Sequence, residues 1–230
     1  MPDGEAILVS GGSSGLGAAV VSAACEAGYR PLVIDLRTPG PSASDHEIAD
    51  VSDARSVATA IERLTRRRGG LAAVVTCAGI DRPGPLAQAD WEDWQRVIGV
   101  NLLGTASVVH GALPHLPKRG GHVVTVASTL GMRAVSDATA YCASKFGVVG
   151  FTRGLAAELA GRVKVTLLIP GGMQTQFFDD RSEQYRPGED ADLNDPRRVA
   201  QAVLFALAQP DGCNVQELVV TPANDSSWPP

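Results

Sequence analysis

Short apolar runs alternate along the chain with longer stretches in which apolar residues recur every three or four positions. The runs Ala6–Val9, Pro31–Asp35, Leu71–Thr76, His122–Val126, Val163–Ile169 and Glu217–Thr221 are nearly continuous in apolar character. Strands covered on both faces read this way. A weaker strand is expected at Glu47–Asp50. Between the runs lie helical patterns. Val57, Ile61 and Leu64 fall on one face of a segment that starts after the N-cap candidate Asp53. Asp90 is placed to cap a helix running through Trp91, Trp94 and Ile98 toward His115, and residues 138–160 and 196–208 read as two more. This βαβα rhythm predicts an α/β domain spanning 1–230, with a parallel sheet, helices on both faces and right-handed crossovers. The stretch Met173–Asp195 is rich in charge and poor in aliphatics, and is expected to be an inserted loop or substrate lid.

Composition narrows the functional classes. Of the 230 residues, 44% are hydrophobic and 20% charged, as in an ordinary globular domain. The net charge of −5 opposes sequence-independent nucleic-acid binding, and Arg66-Arg67-Arg68 is read as a solvated helix end. The longest near-apolar run, Leu71–Ile80, is about half of what a bilayer span needs. With no signal-like start and four scattered cysteines (Cys25, Cys77, Cys142 and Cys213), the expectation is a cytoplasmic protein with reduced thiols and no membrane partner. His46, His110, His115 and His122 show no ligand spacing, so no metal site is expected.

The first strand runs straight into Ser10-Gly11-Gly12-Ser13-Ser14-Gly15-Leu16-Gly17 and then an Ala/Val-rich helix. Such a loop brings backbone N–H groups and a positive helix end to a pyrophosphate. Gly11 suits the tight turn, Gly15 the close approach and Gly17 the helix–strand contact. A glycine cluster also suits a merely flexible turn in a chain with 25 glycines. Asp35 ends the second strand 18 residues beyond Gly17, where a ribose-binding acid belongs, although solvated aspartates are common at strand ends. Further on, Tyr141 and Lys145 form Y-x-x-x-K on one helix face. An ammonium there would pull the phenol below its ordinary value near 10 and make it a general acid/base.

The G-x-x-x-G-x-G spacing of the loop, with Ser10 before it, resembles that of the short-chain dehydrogenase/reductase family. So do Asn101 in an N-x-x-G setting, Ser128 at 13 residues before Tyr141, and the Tyr141/Lys145 pair. Asp50-Val51, Ala78-Gly79, and Pro170-Gly171 with Thr175 match further family elements. Thr76-Cys77 departs from the two Asn of N-N-A-G. The resemblance implies a single Rossmann-type domain whose sheet of about seven strands has the order 3-2-1-4-5-6-7. It implies a tetrad of Asn101, Ser128, Tyr141 and Lys145, in which Asn101 holds a water that relays protons to Lys145. It also implies a nicotinamide dinucleotide held by Ser10, Gly11, Ser13–Gly17, Asp35, Asp50, Val51, Ala78, Gly79, Tyr141, Lys145, Pro170, Gly171 and Thr175.

From these follows an oxidoreductase acting on a secondary alcohol or its ketone. The competing reading is a non-catalytic, redox-sensing module on the same fold. Asp35 favours NAD, and Arg37 keeps NADP as the second choice. Leu130, Met132, Val135, Phe177 and Phe178 suggest an apolar pocket wall, with Arg133 and Arg181 placed to meet an anionic group. Trp91 and Trp94 are expected in helix packing. The segments Leu102–His115 and Tyr141–Ala160 match the helices that this family pairs across a two-fold axis. A homotetramer or homodimer is therefore expected, with Gly104, Ala106, Gly147 and Gly150 permitting close approach.

Overall fold

The computed structural model describes residues 4–225, 227 and 228. Among them, seven parallel strands form one sheet: β1 (Ala6–Ser10), β2 (Arg30–Asp35), β3 (Asp45–Ile48), β4 (Ala73–Thr76), β5 (Gly121–Val126), β6 (Val163–Pro170) and β7 (Glu217–Val220). Their order is β3-β2-β1-β4-β5-β6-β7, as the sequence leads one to expect, and the architecture is Rossmann-type. Six α-helices are described: α1 (Gly15–Glu26), α2 (Ala54–Arg68), α3 (Trp91–Ile98), α4 (Thr105–Ala112), α5 (Thr139–Glu158) and α6 (Pro196–Leu207).

Side-chain alternation along the strands sorts the core into two layers. Ala6, Leu8, Leu32, Ile34, Val74 and Val123 face α2 and α4 through Val57, Ile61, Leu64, Val108 and Val109. Their neighbours Ile7, Val9, Val33, Val75 and Val124 face α1 and α6 through Val20, Val21, Val199 and Val203. Burial on both faces explains why these strands read as unbroken apolar runs.

Asp53, Asp90 and Asp195 each cap a helix by accepting hydrogen bonds from backbone N–H groups of the first turn. The helix expected from Asp90 to His115 is broken in kind: α3 passes into a π-helical turn at Gly99–Gly104, then into α4, then into a 3-10 turn at Leu113–His115. By length and composition this composite helix could cross a membrane, yet here it buries Val97, Val100, Val108, Val109 and Ala112 in the core.

Two expectations need correction. The edge strand lies two residues earlier than Glu47–Asp50, because Asp45-His46-Glu47-Ile48 has no apolar run to announce it. Arg67 and Arg68 are not merely solvated either. They bind Asp45 at 2.9 and 3.0 Å, and Arg67 also reaches Glu47 at 2.7 Å. The bond from Arg67 is the main reason that the Asp45 carboxyl falls to about 2. Surface pairs of this kind contribute about 1 kcal/mol or less each. Their value here is to hold a polar edge strand against the sheet and clothe its open side with charge.

His122 is buried in β5. Its Nε2 lies 2.8 Å from Thr166 Oγ1, whose own proton goes to Val215 O at 2.6 Å. Nε2 is therefore the donor, and Nδ1 is left buried without a partner. Burial first, then Lys164, push the imidazole down to about 4. A folded pKa below the unfolded value near 6.5 gives stability that is full above pH 6.5 and is lost as pH falls toward 4. The full loss amounts to about 3 kcal/mol. Urea titrations at pH 7.5 and pH 4.5 should therefore show a smaller drop in stability for His122→Gln than for the native chain. An equal drop would remove His122 from the acid response.

Candidate active site

All strands run the same way, so Ser10, Asp35, Thr76, Val126 and Pro170 end at one edge of the sheet. Ligands of doubly wound sheets sit at that edge, near the point where strand order reverses. In this sheet the reversal falls between β1 and β4.

The glycine loop is built by contact as much as by conformation. Gly11 has φ +71°, and a Cβ there would lie 2.6 Å from Ala78 N, so the loop rests directly on the β4 loop. A Cβ on Gly17 would collide with the carbonyl of Gly11, which is how α1 closes onto the turn. Gly15 faces Thr175 across the opening, with Thr175 Cβ at 3.5 Å from the place of its missing Cβ. Ser14 stands at the N-cap of α1 but makes no side-chain cap bond, so the helix end keeps its donors for an anion. Ser13 Oγ is buried without a partner. These unspent donors, with room left by the glycines, fit a dinucleotide pyrophosphate.

Asp35 accepts from Ser13 N and Arg37 N, both at 3.0 Å, which ties the end of β2 to the loop. The guanidinium of Arg37 donates to Ser14 Oγ at 3.0 Å. The loop therefore does carry a base beside it, contrary to what its own residues suggest. Asp50 accepts from Ser52 N and Oγ and faces Arg96 at 3.5 Å. Burial raises its carboxyl, but these partners outweigh burial and hold it below the ordinary value. Val51 is buried against Gly104, so its side chain belongs to the core and only its main chain can meet a ligand. Ser10 and Leu16 are likewise buried beneath the loop.

The tetrad residues converge. Tyr141 and Lys145 lie one turn apart at the start of α5, with Lys145 Nζ 5.7 Å from the phenol ring centre. Ser128, just beyond β5, accepts from Leu130 N at 3.1 Å and lies near enough to the Tyr141 phenol to lower its pKa. Lys145 Nζ donates to Val126 O at 2.9 Å, anchoring the ammonium at the end of β5. Asn101, in the π-helical turn, is fully buried. Its Oδ1 accepts from Ile80 N at 2.8 Å, and its Nδ2 donates to Ile80 O at 2.9 Å and Ser144 Oγ at 3.0 Å. Both Nδ2 hydrogens go to Ile80 and Ser144, so Asn101 would hold a relay water only as an acceptor, through Oδ1 or through its main-chain carbonyl, which also accepts from Thr105 Oγ1 at 2.7 Å.

The expected drop in the Tyr141 pKa does not occur. Burial pushes the phenol up to about 12, with Ser128 acting against it and Asp81 adding to it. A displacement of about two units is worth about 3 kcal/mol, so desolvation outweighs the Ser128 and Arg181 contributions that lower the phenol. Burial also brings Lys145 down to about 8. Cys77, beside Lys145, rises to about 12 for the same reason, and Cys142 is a packed thiol.

The pocket wall differs in part from expectation. Val97, Ala140 and Tyr141 form a small cluster with Ile80, Trp94, Leu130 and Phe177 packed on it. Met132 packs instead with Val148 and Ile169, and Val135 is exposed. Trp94 donates to Thr139 at 3.2 Å, whereas Trp91 stacks on it from outside and is itself exposed. Arg181 is paired with Asp81 at 2.7 Å. Asp81 went unnoticed in the sequence, although its place just after Ala78-Gly79-Ile80, beyond a strand end, marked it out. Ser227 Oγ meets Thr129 Oγ1 at 2.7 Å, and Asp225 packs on Gly171, so the chain's end returns to the rim of the site. Ser226, Pro229 and Pro230 lie outside the described residues.

The family model described as short chain dehydrogenase matches residues 5–186. D-threitol dehydrogenase of Mycolicibacterium smegmatis is 35% identical over 188 residues, covering 76% of this chain and 72% of its own. The 3-oxoacyl-acyl-carrier-protein reductase of Thermotoga maritima is 30% identical over 221 residues, covering 88% of this chain and 90% of its own. Among solved structures, an alcohol dehydrogenase from Thermococcus sibiricus, complexed with 5-hydroxy-NADP, has a TM-score of 0.82 at 24% identity. That alignment covers 94% of this chain and 95% of the other, and it shows the shared fold. A glycine loop after β1, a Tyr/Lys pair on α5 beside Ser128, and a family match over most of the length together place the chain in the short-chain dehydrogenase family of oxidoreductases.

Proposed function

We propose that the protein interconverts a secondary alcohol and its carbonyl compound with a nicotinamide dinucleotide, using Tyr141 as general acid/base. The observation that carries this reading is the convergence of Tyr141, Ser128 and Lys145 at the sheet edge beside the glycine loop. When bound, the dinucleotide supplies or accepts the hydride. The α1 N-terminus and Ser13 bind its pyrophosphate, Asp35 its adenosine ribose, Lys145 its nicotinamide ribose, and Thr175 its carboxamide edge. Tyr141 Oη exchanges a proton with the substrate oxygen, and Ser128 Oγ donates to that oxygen as charge develops on it. Ile80, Trp94, Leu130 and Phe177 exclude water from the phenol, and the segment 173–195 closes over the substrate as a lid. The protein is read as soluble and cytoplasmic.

Removal of the phenolic oxygen in Tyr141→Phe should leave dinucleotide binding intact by fluorescence titration and reduce turnover by about 100-fold or more. Retention of most of the kcat on any alcohol or ketone that is turned over would overturn the assignment.

NAD is the expected cofactor, because a carboxylate at the ribose repels a 2′-phosphate. Arg37 on Ser14 leaves NADP usable. In Asp35→Ala the ratio of kcat/KM values for the two cofactors should narrow, chiefly through better use of NADP. A native preference of tenfold or more for NADP would reverse the reading.

The chain is also read as a homotetramer or homodimer that pairs α4 and α5. Leu103, in the π-helical turn that leads into α4, and Phe146 on α5 are exposed. Of the small residues expected to ease the pairing, Gly104 and Gly147 are already spent within the chain, because a Cβ on either would meet Val51 or Leu102 at under 3 Å. Gly150 remains open. Light scattering at micromolar concentration should give a multiple of the 23.9 kDa chain mass, and a Leu103→Glu/Phe146→Glu double variant should shift it toward the monomer. A monomeric native protein would overturn the pairing.

A further inference from the structure

The segment after β6 carries a cation to the acid/base. Arg181 Nη2 lies 2.7 Å from Asp81 Oδ2, with the two side chains only 15% and 3% exposed. The guanidinium also stacks on Phe178 and Phe177, 4.6 and 5.3 Å from their ring centres, and Phe177 lies 5.8 Å from the Tyr141 ring. Arg181 Nη1 donates to Tyr185 O at 3.2 Å, and Arg186 donates to Arg181 O and Asp179 O at 2.8 and 2.7 Å. Tyr185 Oη donates to Asp137 Oδ2 at 3.0 Å, just before α5. These bonds fold 176–186 into a compact piece whose deepest anchor is the ion pair. A buried charge pair is an expensive latch if closure alone were needed, since apolar residues of the same volume would hold a lid as well.

We propose that Asp81 and Arg181 are a positioning pair that fastens the 176–186 segment over the site and, with opposed charges beside Tyr141, sets the proton affinity of its phenol. The charged and titratable groups facing Tyr141 come from every element around it: Asp81 after β4, Ser128 after β5, Cys142 and Lys145 on α5, and Arg181 on the segment. Among these, Asp81 raises the phenol and Arg181 lowers it. Asp81 itself is raised by burial, with Arg181, Arg82 and Lys145 acting against the rise. While the segment is closed, the two charges offset each other at Tyr141. When it opens, Arg181 leaves with it and Asp81 stays. Closing therefore brings the charge of Arg181 to Tyr141 together with the burial that Phe177 adds, so the pair limits the rise that burial alone would cause.

The inference rests on Tyr141 being the acid/base, and it is tested on the full chain by the pH dependence of kcat/KM for alcohol oxidation, which rises as the phenol loses its proton. Asp81→Asn removes the charge that raises the phenol, so its rise should move to lower pH. Arg181→Gln removes the charge that lowers it and leaves Asp81 ionised in the alkaline range, so its rise should move to higher pH. Each displacement should be about half a unit or more, and the double variant should fall between the singles. Hydrogen exchange of 176–186 in the dinucleotide-free protein should speed up at least tenfold in both singles, with Arg181→Lys partly restoring protection. Far-UV circular dichroism and the exchange of β4 and β5 show whether each variant is folded. If one single variant fails to fold, the double and Arg181→Lys still carry the comparison. Shifts in the same direction, no shift, or unchanged exchange would overturn the proposal. If Tyr141→Phe retains the same pH-dependent rise, the acid/base reading fails. If it abolishes the rise while the singles fail to split, only the role of the pair fails.

Discussion

The site depends on one buried amide. Asn101 takes both the N–H and the C=O of Ile80 and, with its remaining donor hydrogen, the hydroxyl of Ser144. Three elements thereby meet at one side chain: the loop after β4, the π-helical turn and α5. Ser144 in turn donates to Tyr141 O at 2.7 Å, so the helix turn that carries Tyr141 and Lys145 is held in register with the β4 loop. That same loop supports Gly11 through Ala78 and presents Asp81 to the phenol. The irregularity of the helix follows from this need. A regular helix through Gly99–Gly104 would satisfy its backbone equally well, and the wider turn is kept where a side chain must reach across to another loop. Breaking a buried, three-bonded amide leaves the backbone groups of Ile80 unpaired, at about 1–3 kcal/mol for each unsatisfied group. Asn101 therefore fixes the positions of other residues at the candidate site.

Desolvation governs the site's electrostatics. Tyr141, Lys145, Cys77 and Asp81 are all displaced toward their neutral forms, and burial is the leading cause for each. Attraction between neighbours is present but smaller: Arg181 acts on Tyr141 and Asp81, and Asp81 acts on Lys145, each less than burial does. A dry site raises the weight of every charge that enters it. In such surroundings an ion pair with one fixed member and one member on a separate segment can change the proton affinity of the phenol with little movement of the phenol itself.

Much of this was legible in the sequence, for identifiable reasons. Strands buried on both faces announce themselves by apolar runs, which is why the six read from such runs begin and end within two residues of the reading. β3 was displaced because an edge strand held by Arg67 and Arg68 needs no apolar run. The glycine loop and the Tyr/Lys spacing were legible because each follows from a local demand: a close backbone approach in the first case, a shared helix face in the second. What sequence could not convey was the sum of competing terms. The spacing of Tyr141 and Lys145 shows that a cation is near, but the sign of the phenol shift depends on how deeply α5 is buried and on residues about 60 and 40 positions away, Asp81 and Arg181.

The same limit explains the reading of Arg181 as a receptor for an anionic substrate group. In the stretch Met173–Asp195 an Arg among acids looks available, and only the fold shows that its partner lies 100 residues earlier. The segment needs such a long-range bond because it has little else: its 3-10 turns at Gln176–Phe178 and Glu183–Tyr185 bury no residue fully, and a single bridge from Met173 to Asn194 closes its base. A loop without its own core can be held by a few specific polar contacts, and those contacts can be broken and remade at low cost. Low apolar burial, one deep ion pair and one aromatic ring against Tyr141, with a second ring behind it under Arg181, are the properties on which the proposed lid rests.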